Sequence, residues 1–297
     1  MVSLQKTVTF GLTRILSDLH YGDPTSRVQS LPSLRPLFEG ADRIVFNGDS
    51  VETRPGPPLG WRNELRARFL DFVQREVPRA VLVTGNHDAD LADTHHVDLL
   101  AGVVFVTHGE IFFEDLVPWG PQPRIRDLFA RELAGLSAGA RHSLEGRMAA
   151  GKRACAKLEL FYDPLDRGFA AKVKRAHHTI WPPWKPLAMM RAWWELPGRA
   201  VEFAARHRPN ARFIISGHTH LPGVWRRRGV VVINNGTFCR PFVSYATDVS
   251  PGGIVVRRVV RHGDNFILGR VVAAFALAPT GDAAGAAVIV PSTSPIP

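Results

Sequence analysis

Five short apolar runs, each breaking off into glycine, aspartate or histidine, constrain the fold of this chain more than any other feature. They are residues 14–17, 43–47, 80–84, 103–107 and 213–216. Each is rich in β-branched or aromatic side chains and too short for a helix, which reads as a buried strand. Between the second and third, Leu65, Phe69, Phe72 and Val73 recur at three- and four-residue steps across 59–76, and Pro78 follows, so a helix with a stop is predicted there. Strand alternating with helix predicts an α/β layered core. After Gly223 the pattern changes to alternating or β-branched stretches at 230–233, 254–260 and 266–275, which predicts a second, more antiparallel sheet. A β-sandwich flanked by helices fits both halves.

The ends of the five runs carry the chemistry. They read Asp18-Leu19-His20, Gly48-Asp49, Gly85-Asn86-His87-Asp88, His108-Gly109 and Gly217-His218-Thr219-His220. In α/β folds ligands gather at the carboxyl ends of strands, so Asp18, His20, Asp49, Asn86, His108, His218 and His220 are expected at one place. A lone Asp-x-His or His-x-His is common in loops, and Gly-Asn-His-Asp alone is an ordinary turn signature. All five in this order, each after an apolar run, form a specific joint pattern. Nitrogen and oxygen donors without a thiolate suit Mn²⁺, Fe, Zn²⁺ or Ni²⁺ rather than Ca²⁺. Seven candidate ligands are too many for one ion and fit two divalent ions that share a carboxylate; manganese is the first expectation.

The series D-x-H, G-D-x-x-E, G-N-H-D, H-G and G-H-T-H resembles that of the calcineurin-like metallophosphoesterases. The resemblance covers about residues 7–120 and 211–260. It implies a four-layer αββα β-sandwich with flanking helices and a two-metal site. By motif position it also implies that Asp18, His20 and His220 hold one ion, that Asn86, His108 and His218 hold the other, and that Asp49 bridges them. His87 then stands at the position of the general acid, with Asp88 beside it as the carboxylate expected to orient its imidazole. Two cations about 3.5–4 Å apart lower the pKa of a bridging water and hold the hydroxide in line with phosphorus. The expected reaction is hydrolysis of a phosphate ester or anhydride. Ser17-Asp18-Leu19-His20, Gly48-Asp49-Ser50-Val51-Glu52 and Thr107-His108-Gly109-Glu110 are further similar to the UDP-2,3-diacylglucosamine hydrolases, which implies a lipid-linked nucleotide-sugar substrate. This chain departs from them in carrying His87 where arginine is usual and in lacking aromatic residues after Glu52. Two other readings stay open: a nucleic-acid phosphodiesterase, and a non-catalytic scaffold on the same fold, like the corresponding subunit of retromer.

Residues 121–210 read as helices broken by Gly146, Pro164, the Pro182-Pro183 pair, Pro186 and Pro197, an insertion between core segments 1–120 and 211–278; residues 279–297 read as a disordered tail. The net charge of +10 is concentrated in 141–212, where 15 Lys and Arg face 6 Asp and Glu. Within 172–208, Trp181, Trp184, Trp193 and Trp194 are interleaved with Lys185 and Arg191. Three readings follow: aromatics that pack the insertion onto the core, an interfacial membrane contact, or a surface for single-stranded nucleic acid. Cys155 and Cys239 are the only cysteines, so no disulfide framework or cysteine-rich zinc module is expected. That usage, no signal-peptide pattern at the N-terminus, and no apolar run near the roughly 20 residues a span requires predict a cytoplasmic protein, peripheral to the inner face of the membrane if 172–208 binds lipid. The paired histidines His95-His96 and His177-His178 read as surface or helix residues. Asp23 and Arg27 are expected to line the site without a catalytic role, and Arg240 either to face an anionic substrate or to make an ordinary salt bridge.

Overall fold

The computed structural model describes residues 11–277 except 122, 161 and 167; the tail expected at 279–297 lies outside the described residues. Strands β1 (Thr13–Leu16), β2 (Arg43–Asn47) and β3 (Val81–Val83) run parallel at one side of a six-stranded sheet ordered β11-β10-β9-β1-β2-β3, with β9 (Tyr245–Ser250), β10 (Gly253–His262) and β11 (Asn265–Ala276) antiparallel at the other. A five-stranded sheet ordered β4-β5-β6-β8-β7 faces it, built from β4 (His96–Leu99), β5 (Val104–Thr107), β6 (Phe213–Ser216), β7 (Gly223–Arg227) and β8 (Val230–Asn234). Its three central strands are parallel and its two edge strands antiparallel.

Side-chain alternation explains why the runs are continuously apolar. Val104 and Val106, Phe213 and Ile215, and Val231 and Ile233 point between the sheets, where they meet Ile15, Val45 and Val83. Phe105, Ile214 and Val232 point outward into a helical layer. Leu16, Ile44 and Phe46 point outward from the other sheet, onto Leu65, Phe69, Phe72 and Val73 of α1 (Leu59–Glu76). Both faces of both sheets are therefore covered, the condition under which strands lose their polar alternation. The result is the expected αββα sandwich.

Three expectations are corrected. The strands after Gly223 do not form a sheet of their own, because β7 and β8 complete the five-stranded sheet while β9 adds to the edge of β1 and carries β10 and β11 with it. A buried pair welds that junction, with Arg14 Nε and Nη2 at 2.6 and 2.9 Å from the Asp248 carboxylate. Pro197 does not end a helix: α6 (Trp184–His207) runs through it, with Pro197 buried. Gly146 likewise lies inside α4 (Leu144–Cys155), where its N–H is capped by Ser143 Oγ. His96 belongs to β4 rather than to a helix and is half-buried against Phe105.

Residues 121–210 contribute α2 (Arg124–Ala134), α3 (Ala138–His142), α4, α5 (Phe169–Ile180) and α6. Ile125, Phe129, Met148, Leu196 and Ala200 share one apolar cluster with Phe105, Ile214 and Val232, so these helices supply the outer layer of the five-stranded sheet. Among the described residues no helix is long and apolar enough to cross a membrane. Lys152 on α4 is buried beneath this layer. It is 2% exposed, ion-paired with the equally buried Glu110, and donates from Nζ to Thr84 O at 2.5 Å, at the end of β3. Removing one partner of a buried pair strands the other charge and costs about 3–5 kcal/mol, whereas replacing both with apolar groups is often neutral. Lys152→Met is therefore expected to lower the urea unfolding free energy by about that amount, and Lys152→Met/Glu110→Leu to recover most of it; a single variant as stable as wild type would contradict the account.

Candidate metal centre

The parallel strands deliver their ends to one edge of the sandwich. Asp18 and Asp49 follow β1 and β2, Asn86 follows β3, His108 follows β5, and His218 and His220 follow β6. The loops are knitted across the sheets: Asp18 N–H donates to Gly48 O at 3.1 Å, Gly217 N–H to His108 O at 2.9 Å, and Asn47 Nδ2 to Thr107 O at 3.0 Å. All seven expected ligands converge here, and all but the partly exposed His220 are buried.

The backbone bears the cost of that convergence. Asp18, His20, Asp49, His218 and His220 have φ of 52°, 48°, 49°, 69° and 63°, half of the ten non-glycine residues with positive φ among those described. Side chains avoid this region, each instance costing on the order of 1–3 kcal/mol, and such residues cluster where geometry is over-determined for function. The motif glycines have a different task. A Cβ at Gly85 would overlap Asp49 Oδ1, and one at Gly217 would overlap Asp18 Oδ2, so neither loop could approach its carboxylate with any larger residue.

Two groups of donor atoms result. In the first, His20 Nε2 and His220 Nε2 are 3.0 Å apart, with Asp18 Oδ1 at 3.8 and 3.3 Å from them and Asp49 Oδ2 at 3.7 Å from His20 Nε2. In the second, Asn86 Oδ1 lies 3.2 Å from His108 Nε2 and 2.8 Å from His218 Nδ1, and Asp49 Oδ2 lies 3.3 Å from His108 Nε2. Backbone carbonyls fix the tautomers here. His108 Nδ1 donates to Asn47 O at 3.0 Å and His218 Nε2 to Leu116 O at 2.8 Å, which turns His108 Nε2 toward Asn86 and Asp49 and His218 Nδ1 toward Asn86. A ligating histidine is held in this way, by its other nitrogen. With these nitrogens deprotonated the lone pairs repel, and a divalent cation in each group would relieve that repulsion. The donor set therefore fits two ions sharing Asp49.

Proton affinities carry the same signature. Burial opposes a charge on His108, yet Asp49 and Asp18 overcome it and lift the imidazole to about 10. Burial is likewise overcome at His20, which Asp18 and Asp49 raise to about 9. Asp18 and Asp49 are held well below the usual carboxylate range against the effect of burial, His108 being the main cause in both. His218 is pushed down to about 3 by burial and by the charge of His108. In the absence of metal a proton takes the place of a cation, so metal binding at this site must displace protons.

His87 borders the first group, its ring centroid 4.6 Å from that of His20 and its Nε2 3.7 Å from Asp49 Oδ2. Its Nδ1 meets Glu52 Oε2 at 2.6 Å. This corrects the expectation for Asp88, which is fully buried and turned the other way, accepting from the N–H groups of Gly85, Ser50 and Asp49 at 2.6, 2.6 and 3.1 Å and from that of Val51 at 3.4 Å. Asp88 thus ties the β2 and β3 loops together while His87 faces Asp49 and His20. Burial and the neighbouring Asp49 charge raise Asp88 to about 6. Glu52 is gripped by Arg54, with Nε to Oε1 at 3.0 Å and Nη2 to Oε2 at 3.1 Å. Burial notwithstanding, Arg54 and His87 hold its carboxyl far below the usual range.

Sequence reasoning missed Arg54 and Tyr162. Tyr162, from the segment before α5, bonds through its hydroxyl to the Asp23 carboxylate. The G-D-x-x-E spacing was the available signal for Glu52, and the alternation of an extended segment would have brought Arg54 with it. Arg27 is spent on the carbonyls of Phe238 and Thr237, at 3.0 and 3.3 Å.

Loss of the shared carboxylate should affect both ions and loss of Asn86 mainly one. Dialysed wild type is expected to retain about two equivalents of divalent metal by elemental analysis, Asn86→Ala about half of that and Asp49→Ala little, each with an unchanged far-ultraviolet spectrum. Equal metal content in all three would remove the assignment.

Two solved structures are among those similar to this chain. Vacuolar Protein Sorting 29 from Cryptosporidium parvum is 11% identical over 90% of this chain and 100% of its own, with a TM-score of 0.44. A dimetal phosphatase from Danio rerio is 12% identical over 88% and 98%, with a TM-score of 0.41. No curated protein sequence matches the chain. The family model described as calcineurin-like phosphoesterase matches residues 13–222, a span that contains all seven convergent candidate ligands together with Glu52, Arg54 and His87. This protein belongs to the calcineurin-like phosphoesterase family.

Proposed function

We propose that the protein is a two-metal phosphoester hydrolase, with His87 protonating the leaving group. The observation that carries the reading is the position of Asp49 Oδ2, 3.7 Å from His20 Nε2 and 3.3 Å from His108 Nε2, one carboxylate oxygen between two sets of nitrogen and oxygen donors. Two cations held there would polarise water and neutralise charge on the phosphoryl oxygens. Asn86 adds a neutral oxygen, which leaves the second ion more Lewis-acidic than another carboxylate would. Manganese remains the first proposal for the metal, within a donor set that also suits iron, zinc and nickel.

The remaining groups handle the proton. Glu52, kept anionic by Arg54, holds the His87 Nδ1–H and so directs Nε2 toward the ions. Burial and the Arg54 charge push the His87 pKa down, so the ring is neutral at rest. A phosphoryl anion arriving beside Nε2 favours the imidazolium, and that proton then passes to the departing oxygen. An acid so placed contributes about 10²–10⁴ in rate.

The substrate is proposed more narrowly from motif likeness as an acylated nucleotide-sugar diphosphate, with a nucleic-acid diester as the alternative. A panel of aryl monoester, aryl diester, nucleotide-sugar diphosphate with and without acyl chains, and single-stranded DNA, run with the metal-reconstituted protein, separates them. No turnover of any phosphoester by protein carrying both ions would sink the hydrolase reading and favour a scaffold.

His87→Ala is expected to keep its metal and lose about 10²–10⁴ in kcat on alkyl esters, with a much smaller loss on nitrophenyl esters, whose leaving group needs no proton. Glu52→Gln should lower the same rate to a lesser degree. As His87 acts in its protonated form, kcat for alkyl esters should fall as pH rises through its pKa in the substrate complex, and His87→Ala should abolish that limb of the profile. A variant fully active on alkyl esters would reject the assignment.

A further inference from the structure

Eleven large hydrophobic side chains are exposed among the described residues, and nine of them lie between positions 165 and 194. Phe169 and Trp194 are each 82% exposed, and Ile180, Trp181, Leu187 and Met190 range from 57% to 66%. They sit on α5, which buries no residue, and on the first half of α6, whose buried positions begin only at Ala192. The second half of α6 enters the core through Leu196, Ala200 and Val201. One helical hairpin thus has a foot in the fold and an apolar head in water, a concentration that marks an interaction surface.

The charge on that head has one sign. Residues 168–194 contain Lys172, Lys174, Arg175, Lys185 and Arg191 and no carboxylate. A second copy of this chain would set those cations against their own kind. A nucleic acid would use the tryptophans but leave the aliphatic Val173, Ile180, Leu187 and Met190 in water, since its contacts are stacking and phosphate pairing. Tryptophan, long aliphatic side chains and cations without acids are together what a helix needs to lie in the headgroup region of an anionic bilayer.

We propose that α5 and the first half of α6 form a docking surface for an anionic lipid bilayer. The hairpin also touches the walls of the metal centre. Trp193, next to Trp194, donates from Nε1 to Thr219 O at 2.7 Å, between His218 and His220. The Arg175 guanidinium lies 5.8 Å from the ring centroid of Tyr162, which bonds Asp23. Docking would therefore hold the centre beside the lipid surface.

The test is co-sedimentation of the full chain with phosphatidylcholine vesicles, with and without phosphatidylglycerol, read alongside thermal unfolding. This measurement needs no turnover, so its outcome is independent of the hydrolase reading. Wild type is expected to bind the anionic vesicles and to release as salt rises. Phe169→Ser/Trp194→Ser should bind about tenfold more weakly or worse, given the apolar area withheld from lipid, with an unchanged melting temperature because both side chains lie in water. Lys172→Glu/Lys174→Glu should lose the preference for anionic lipid. Absence of vesicle binding, or equal binding by the serine variant, would overturn the proposal. Salt-dependent capture of single-stranded DNA without vesicle binding would overturn it in favour of nucleic acid, and a dimer dissociated by the serine substitutions, again without vesicle binding, in favour of self-association.

Discussion

The structure is organised around one crowded point, where the carboxyl ends of parallel strands from two sheets aim nitrogen and oxygen donors at a single carboxylate oxygen. Asp49 Oδ2 has His108 at 3.3 Å and His20 and His87 each at 3.7 Å. Stripped of both protons and cations such a cluster repels, so the surroundings must hold it by force of geometry. The left-handed backbone at Asp18, His20, Asp49, His218 and His220, the missing side chains at Gly85 and Gly217, and the four N–H groups collected by Asp88 are three expressions of that requirement. A fold can sustain this only where the strands behind the loops are rigid. The three apolar layers of the sandwich provide that rigidity.

The helical segment does more than cover a sheet. Through Lys152 it reaches the end of β3, where Thr84 O precedes the Gly85-Asn86-His87-Asp88 loop, and it neutralises Glu110 two residues after His108. Burial and the Lys152 charge hold the neighbouring His95 down to about 4, so that imidazole stays neutral across the physiological range. Without Lys152, Glu110 would be an uncompensated negative charge beside His108 and His218 and would compete with Asp49 in setting their charge state. Distant parts of the chain are thus coupled to the site electrostatically as well as by packing.

Much of this was legible in the sequence because burial on both faces leaves a simple trace. The runs at β1, β2, β3, β5 and β6 are dominated by apolar residues and end abruptly, and the candidate ligands occupy those ends. The strands that escaped notice, β4 (His96–Leu99), β7 (Gly223–Arg227) and β9 (Tyr245–Ser250), are edge or junction strands with polar residues in them. Their pairing is set by partners far along the chain, as Arg14 and Asp248 show, and no local pattern encodes that. Pro197 misled for a related reason: an isolated proline is a strong local breaker, yet α6 is pinned along the five-stranded sheet by Ala192, Leu196, Ala200 and Val201, and tertiary packing outweighs the lost hydrogen bond.

The exchange of Asp88 for Glu52 shows where sequence adjacency fails and what the chemistry gains. A carboxylate next in sequence to His87 is the easiest partner to imagine, but Asp88 is taken up by the N–H groups of Gly85, Asp49, Ser50 and Val51. The partner comes from the β2 loop instead, and it brings Arg54 along. Without the arginine, Glu52 would favour a proton on His87 even at rest, and the ring would compete with the cations for anionic ligands. With it, burial and the Arg54 charge keep the pKa low while the Glu52 bond still fixes which nitrogen faces the ions. Orientation and basicity are thereby set by separate residues, so the histidine can be held in place without being charged, and its proton affinity rises only when a phosphoryl anion binds beside it.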